Sequence, residues 1–309
     1  MDDIPQWAWI VFGVTLFVLL AVDLFSHRGQ HQRSRRQDII WSAVWISVGL
    51  GFTFFVWALM GGEAAKEYLA AYLIEESLSL DNLFVFLLIF QTLQIPLENQ
   101  RRALLWGIFG ALVFRAIFIF LGVAAMERWG WIQYLFGALL FFAAFRALHG
   151  PEDEVVENQL VTWLTRHLPM SSDRNCAHLF VRENGRLLIT PLLVAIIGLE
   201  LSDILFAIDS VPAALSVTRR EFLVYSSNAF AILGLRSLYV VLVASLEKIS
   251  YLQYGLAAVL AFAGFKLVSH GWIHVPPLLS VGIIVGILAT TVVISLRLAP
   301  EGRSSNGAR

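Results

Sequence analysis

Tyr72-Leu73-Ile74-Glu75-Glu76-Ser77-Leu78-Ser79-Leu80-Asp81-Asn82 sets three carboxylates inside an apolar run that extends over residues 68–93. A second run carries Gly198-Leu199-Glu200-Leu201-Ser202-Asp203-Ile204-Leu205-Phe206-Ala207-Ile208-Asp209-Ser210-Val211-Pro212, again three acids among aliphatic and aromatic residues. An acid at the centre of a membrane helix costs on the order of 3 kcal/mol, and a chain that keeps several has a use for them. Whether these runs cross a bilayer therefore decides both the fold and the chemistry.

Composition answers for the bilayer. Of the 309 residues, 58% are hydrophobic and 15% charged, with a mean hydropathy of +0.72, leaving a soluble domain too little polar surface to cover itself. Lys and Arg number 22 against 23 Asp and Glu, so no net field favours nucleic acid. The single cysteine, Cys176, excludes an intrachain disulfide framework and a Cys-rich metal site. The first apolar stretch follows Met1-Asp2-Asp3 rather than a basic region, and reads as a retained span.

A hydrocarbon core about 30 Å thick takes roughly 20 apolar residues per helix. That length predicts nine spans, near residues 7–25, 39–60, 68–93, 102–125, 130–148, 187–217, 221–246, 251–270 and 275–298. The expectation is an all-α membrane protein, one transmembrane domain over 1–309, with residues 149–186 as a solvated loop. Basic residues favour the cytoplasmic side. An N-terminus outside and a C-terminus inside puts fourteen Lys and Arg there, against four (Lys66, Arg128, Arg219 and Arg220) on the other side.

A shift of about 120 residues aligns the chain with itself. Asp81-Asn82-Leu83-Phe84 falls on Asp203-Ile204-Leu205-Phe206, Arg115 on Arg236, and Ala138 through Arg146 on Ala258 through Lys266. Because span six follows span three by three crossings and so enters from the opposite side, repeat one (68–148) and repeat two (187–270) are predicted to be inverted three-helix units. Helices within 7–60 and 275–298 would be peripheral. Inverted repeats place a substrate site near the midplane, where rocking gives alternating access.

On a regular helix Glu75, Ser79 and Asn82 share one stripe and Ser77 and Asp81 another, with Glu76 between them. Glu200 and Asp203 are neighbours at i,i+3, whereas Asp209 points well away. Residues 187–217 are long for one crossing, and Pro212 predicts a helix break around Asp209 to Pro212. The acids Asp23, Glu75, Glu76, Asp81, Glu200, Asp203 and Asp209 outnumber the bases Arg115, Arg146, Arg236 and Lys266 by three. Arg115 and Arg236 could balance charge in a structural network, but the surplus calls for bound cations or protons. Carboxylate, amide and hydroxyl oxygens suit hard divalent ions such as Mg²⁺, Ca²⁺ or Mn²⁺, which the ligand chemistry alone does not separate.

At Tyr72 to Asn82, Glu200 to Ala213 and Ser227 to Arg236 the chain resembles the TerC/Alx family of bacterial membrane proteins. The similarity also takes in Asp23 and the segment from Arg101-Arg102 to Arg115. It implies a multi-pass protein of the bacterial cytoplasmic (inner) membrane that exports Mn²⁺, and more loosely metal homeostasis under alkaline or tellurite stress. The family's acidic positions fall on Glu75, Asp81, Asp203 and Asp209, with Asn82, Glu200 and Asn228 as supports; Ser79 and Ser210 add hydroxyls nearby. Glu76 lies outside the family pattern. The metal is cargo, and no resident cofactor is expected.

Export of a divalent cation against a membrane potential of roughly 150 mV costs about 7 kcal/mol. No phosphate-binding loop motif is present, so proton antiport is the expected drive. Two other classes stay open. One is a non-transporting scaffold for metal delivery, secretion or stress-response partners, docking through 149–186. The other is an intramembrane metalloenzyme, disfavoured because the spans hold no nucleophile and base pair and no histidine set.

Overall fold

A computed structural model describes residues 4–26, 35–149, 171, 178–183, 186–243, 252–269, 272–273 and 275–298. Among these, the helices are α1 (Gln6–Ser26), α2 (Arg35–Met60), α3 (Gly62–Thr92), α4 (Leu97–Arg128) and α5 (Ile132–His149), followed by α6 (Pro191–Leu215), α7 (Glu221–Val243), α8 (Leu252–Ser269) and α9 (Pro277–Leu298). Between α5 and α6 lies an antiparallel hairpin of β1 (Phe180–Glu183) and β2 (Arg186–Ile189), with Phe180 opposite Ile189.

Among the described residues, four helices are long and apolar enough to cross a membrane, over Ile39–Met60, Leu97–Arg128, Pro191–Leu215 and Pro277–Ser295. Shorter apolar helices cover Gln6–Val22, Ile132–Leu148, Glu221–Leu235 and Tyr254–Ser269. α3 interrupts its apolar stretch with Glu75, Glu76 and Asp81. Phe17, Phe54, Trp57, Phe109 and Phe142 are largely exposed on the bundle's outside, where lipid rather than water is their natural solvent.

Two expectations change on contact with the structure. The sixth span starts at Pro191 rather than 187, because Arg186–Ile189 pair as a strand. Thr190 caps the helix, its Oγ1 accepting from Leu193 N at 3.3 Å, and Pro191 sits in the first turn, where a missing N–H costs nothing. The predicted break at Asp209 to Pro212 does not occur, and α6 is continuous through Pro212 to Leu215. Its 25 residues rise about 37 Å, so no break is needed to fit the crossing. Pro212 falls in the last turn, and Ser216 N closes that turn on Pro212 O at 2.9 Å.

Packing fixes the directions. α4 runs parallel to α6: a Cβ on Gly107 would touch Leu199, and one on Gly122 would touch Leu215. α3 runs antiparallel to α6, since Gly198 faces Ile89 while Thr218, just past the end of α6, bonds Glu67. α4 and α7 are antiparallel, with Tyr239 on Gln100 and Asn228 on Arg115. α5 and α8 cross antiparallel at small residues, where a Cβ on Gly264 would lie 3.2 Å from Gly137 O. α2 and α3 are joined by Gly61 alone, whose φ of +87° favours glycine.

Among the described residues, two apolar clusters fill the interior. On α4, Ala111 and Leu112 belong to one and Ile119 and Val123 to the other; on α6 the split falls between Leu199 and Ala207. The polar layer sits in those two gaps.

Candidate ion site

Arg115 on α4 occupies the gap and is fully buried. Its Nη2 donates to Asp203 Oδ1 at 3.0 Å and its Nε reaches Asp203 Oδ2 at 3.4 Å, so the guanidinium grips the α6 carboxylate two-pronged. Nη1 pairs with Glu75 Oε1 of α3 and donates to Asn228 Oδ1 of α7 at 2.8 Å. Asn228 in turn donates from Nδ2 to Val224 O at 3.1 Å, which fixes the amide so that its oxygen faces the arginine. One cation thus ties four helices together while balancing only one of its two carboxylates.

The remaining sequence-predicted residues with described side chains divide among four places. Glu75, Asp203 and Asn228 join Arg115, with Ser79 buried one turn beyond Glu75. Asn82, Asp209 and Ser210 line a separate, partly open cavity of about 300 Å³ with Ser202 and Arg146, formed by α3, α5, α6 and α8. A regular α6 explains that split, because six residues leave Asp209 about 120° around the helix from Asp203. Glu200 lies against Gly110 of α4, and any Cβ at that glycine would collide with its carboxylate. Glu76 faces α7, about 3.9 Å from where a Cβ on Gly234 would stand. Asp23, Asp81 and Arg236 belong to α1, α3 and α7, and their side chains lie outside the described residues.

Oxygens are left over. Glu75 Oε2, Glu200 Oε2, Ser79 Oγ and Ser210 Oγ are buried without a hydrogen-bond partner among the described residues, whereas the Glu76 carboxylate has the Tyr72 hydroxyl within reach. Buried polar atoms are normally satisfied, and each exception calls for a proton, a water or an ion. All are hard oxygen donors, suited to Mg²⁺, Ca²⁺ or Mn²⁺. In this arrangement no three His, Cys, Asp or Glu side chains among the described residues converge on one point, because Arg115 itself stands between Glu75 and Asp203.

Sequence reasoning missed several polar residues. Gly110 had no signal as a notch for Glu200. Glu67, Thr218 and Ser280 carried none either, although Lys266 stood out as a buried base. The hairpin did have one: Asn184-Gly185 between alternating runs favours a tight turn.

A bundle of apolar helices around a buried acid and arginine layer defines an all-α integral membrane protein. Comparison with known proteins agrees: residues 60–303 match the integral membrane protein TerC family. The chain belongs to that family. It is 43% identical over 291 residues to the uncharacterized membrane protein STKORF319 of Myxococcus xanthus, covering 93% of this chain and 91% of that one. It is 41% identical over 299 residues to the Escherichia coli (strain K12) protein that carries the name membrane-bound redox modulator Alx, covering 93% of each. A Rickettsia bellii membrane protein is 32% identical over 94% of this chain and 97% of its own length. No solved structure matches.

Proposed function

We propose that the chain exports a divalent metal cation, Mn²⁺ by family resemblance, through alternating access of two inverted three-helix units coupled to protons. One observation carries this reading: a cavity of about 300 Å³ among the helices is lined by Asn82, Asp209 and the unmatched Ser210 hydroxyl, while Glu75 and Glu200 keep unmatched carboxylate oxygens elsewhere in the same bundle. In this reading the cavity is the entry position for a partly hydrated ion, and the layer of Glu75, Arg115 and Asp203 lies one step deeper. Arg115 is the resident cation of that layer, so cargo and protons compete with it for the same two carboxylates. Export against the potential costs about 7 kcal/mol, which proton exchange at these acids supplies.

The packing supports the repeat. Helices that the 120-residue shift equates run antiparallel in each case described: α3 with α6, α4 with α7, and α5 with α8. The cross pairs also exchange, α3 packing on α7 as α4 packs on α6. At the α5 and α8 crossing the shift carries Gly137 onto Ala257 and Gly264 onto Ala144, both small and buried. N-terminus outside and bacterial inner membrane remain part of the same proposal, on the basic-residue count and the family.

Purified protein in proteoliposomes, assayed with Mn²⁺, Mg²⁺ and Ca²⁺ at two pH values, is the direct test. Wild-type protein is expected to move metal, and Asp81→Asn and Asp203→Asn to abolish flux while still inserting. Wild-type flux in both variants overturns the reading, and a wild-type protein that moves no ion favours the scaffold.

A further inference from the structure

The cavity lies in the half of the bundle where α5 ends and α8 begins, spanning Leu139 to Ala147 on one and Leu256 to Leu260 on the other. The opposite end, where α3 starts, α6 and α8 end and α9 begins, holds a second polar network. There Thr218 Oγ1 donates to Glu67 Oε2 at 2.7 Å, and Arg220 Nε stands 3.9 Å from the same oxygen. Thr218 Oγ1 also accepts from Arg220 N at 3.2 Å, which holds the turn after α6 in shape. Lys266, only 6% exposed, lies within electrostatic reach of Glu67 and donates to Ser280 Oγ at 2.9 Å. Glu67 therefore ties the first turns of α3, in repeat one, to the turn and helix end of repeat two.

The repeat shift carries Arg146 onto Lys266, and the two bases sit in opposite surroundings. Arg146 is exposed and lines the cavity beside Asp209. Lys266 is buried, bonded to Ser280 and within electrostatic reach of Glu67. In a machine of two inverted copies, such a difference between equivalent positions marks which entrance is open and which is shut.

We propose that Glu67, clasped by Thr218 and Arg220, is the latch of the second entrance, and that its release opens a cavity around Lys266 equivalent to the one around Arg146. Resting on the alternating-access reading, the latch adds the closing element and the side chains that form it. Release lets α3 part from the turn after α6, and the same rocking closes α5 onto α6 and α8 at the other end.

Cysteine accessibility tests this without measuring flux. In a Cys176→Ser background in lipid nanodiscs, where both faces meet solvent, a membrane-impermeant maleimide reads Ala214→Cys, buried near the latch, and Ala143→Cys, which lines the cavity. Glu67→Gln is expected to raise the labelling rate at Ala214→Cys roughly tenfold and to slow it at Ala143→Cys, as loss of a charge-assisted hydrogen bond shifts a two-state balance. Thr218→Val, which removes the donor and keeps the shape, is expected to act in the same direction. Unchanged rates at both reporters in a monodisperse variant overturn the latch, with Thr218→Val deciding if Glu67→Gln does not fold. Exchanged labelling in a protein that moves no metal leaves the latch standing and removes the cargo reading; metal flux with unchanged labelling does the reverse.

Discussion

Arg115 and Asp203 lie 88 residues apart in the chain and meet in a two-pronged ion pair, Nη2 to Oδ1 at 3.0 Å and Nε to Oδ2 at 3.4 Å, with the arginine fully buried and the aspartate nearly so. A buried pair of this kind gives little net stability over apolar residues, yet breaking it is costly because it strands a charge. Here the stranded charges would be two, since Glu75 shares the guanidinium.

Arg115→Gln is therefore expected to destabilise the protein by about 3–5 kcal/mol, read as a lower melting temperature in detergent. Arg115→Lys restores the charge but has no planar fork, and is expected to recover only part of the loss. Adding Asp203→Asn to Arg115→Gln removes one stranded carboxylate and is expected to raise the melting temperature again.

Asp203 and Asp209 are expected to separate in two assays. Asp209 lines the cavity rather than the arginine layer, so Asp209→Asn should lower metal flux with a stability change under about 1 kcal/mol. Asp203→Asn should lower flux and melting temperature together. Equal melting losses in the two variants would contradict the assignment of the residues to different places.

Gly110 is a notch for the Glu200 carboxylate. Gly110→Ala is expected to push that flexible side chain aside, at a cost of roughly 1 kcal/mol, and to impair flux more than stability. In Glu200→Ala the same glycine substitution should be harmless, giving a double-mutant coupling of about 1 kcal/mol.

Glycines at the α5 and α8 crossing should behave unlike those facing outward. A Cβ on Gly137 would collide with Val268, so Gly137→Ala is expected to cost about 1–3 kcal/mol. Gly13 and Gly286 have nothing within 4 Å of an added Cβ, and alanine there should be neutral or mildly stabilising. Thermal unfolding of the three variants checks the contrast.

Much of this protein was legible in its residues. The length and apolarity of each run located the nine helices among the described residues to within about six positions, four of them long and apolar enough to cross a bilayer. The 100° step separated Glu75 and Ser79 from Glu76, and Asp203 from Asp209, before any packing was known. The expected break at Pro212 failed because proline's effect depends on where the helix ends, and strand pairing at Arg186–Ile189 moved its start to Pro191.

Sequence by itself determined a membrane bundle whose apolar runs hold more acids than bases, since both follow from composition and local period. Tertiary structure alone decided which acids Arg115 holds, which ones border the cavity, and that Glu67 clasps the other end. Those choices depend on contacts 40, 88 and 151 residues apart. Helical periodicity says which way a side chain points, and only packing says what it points at.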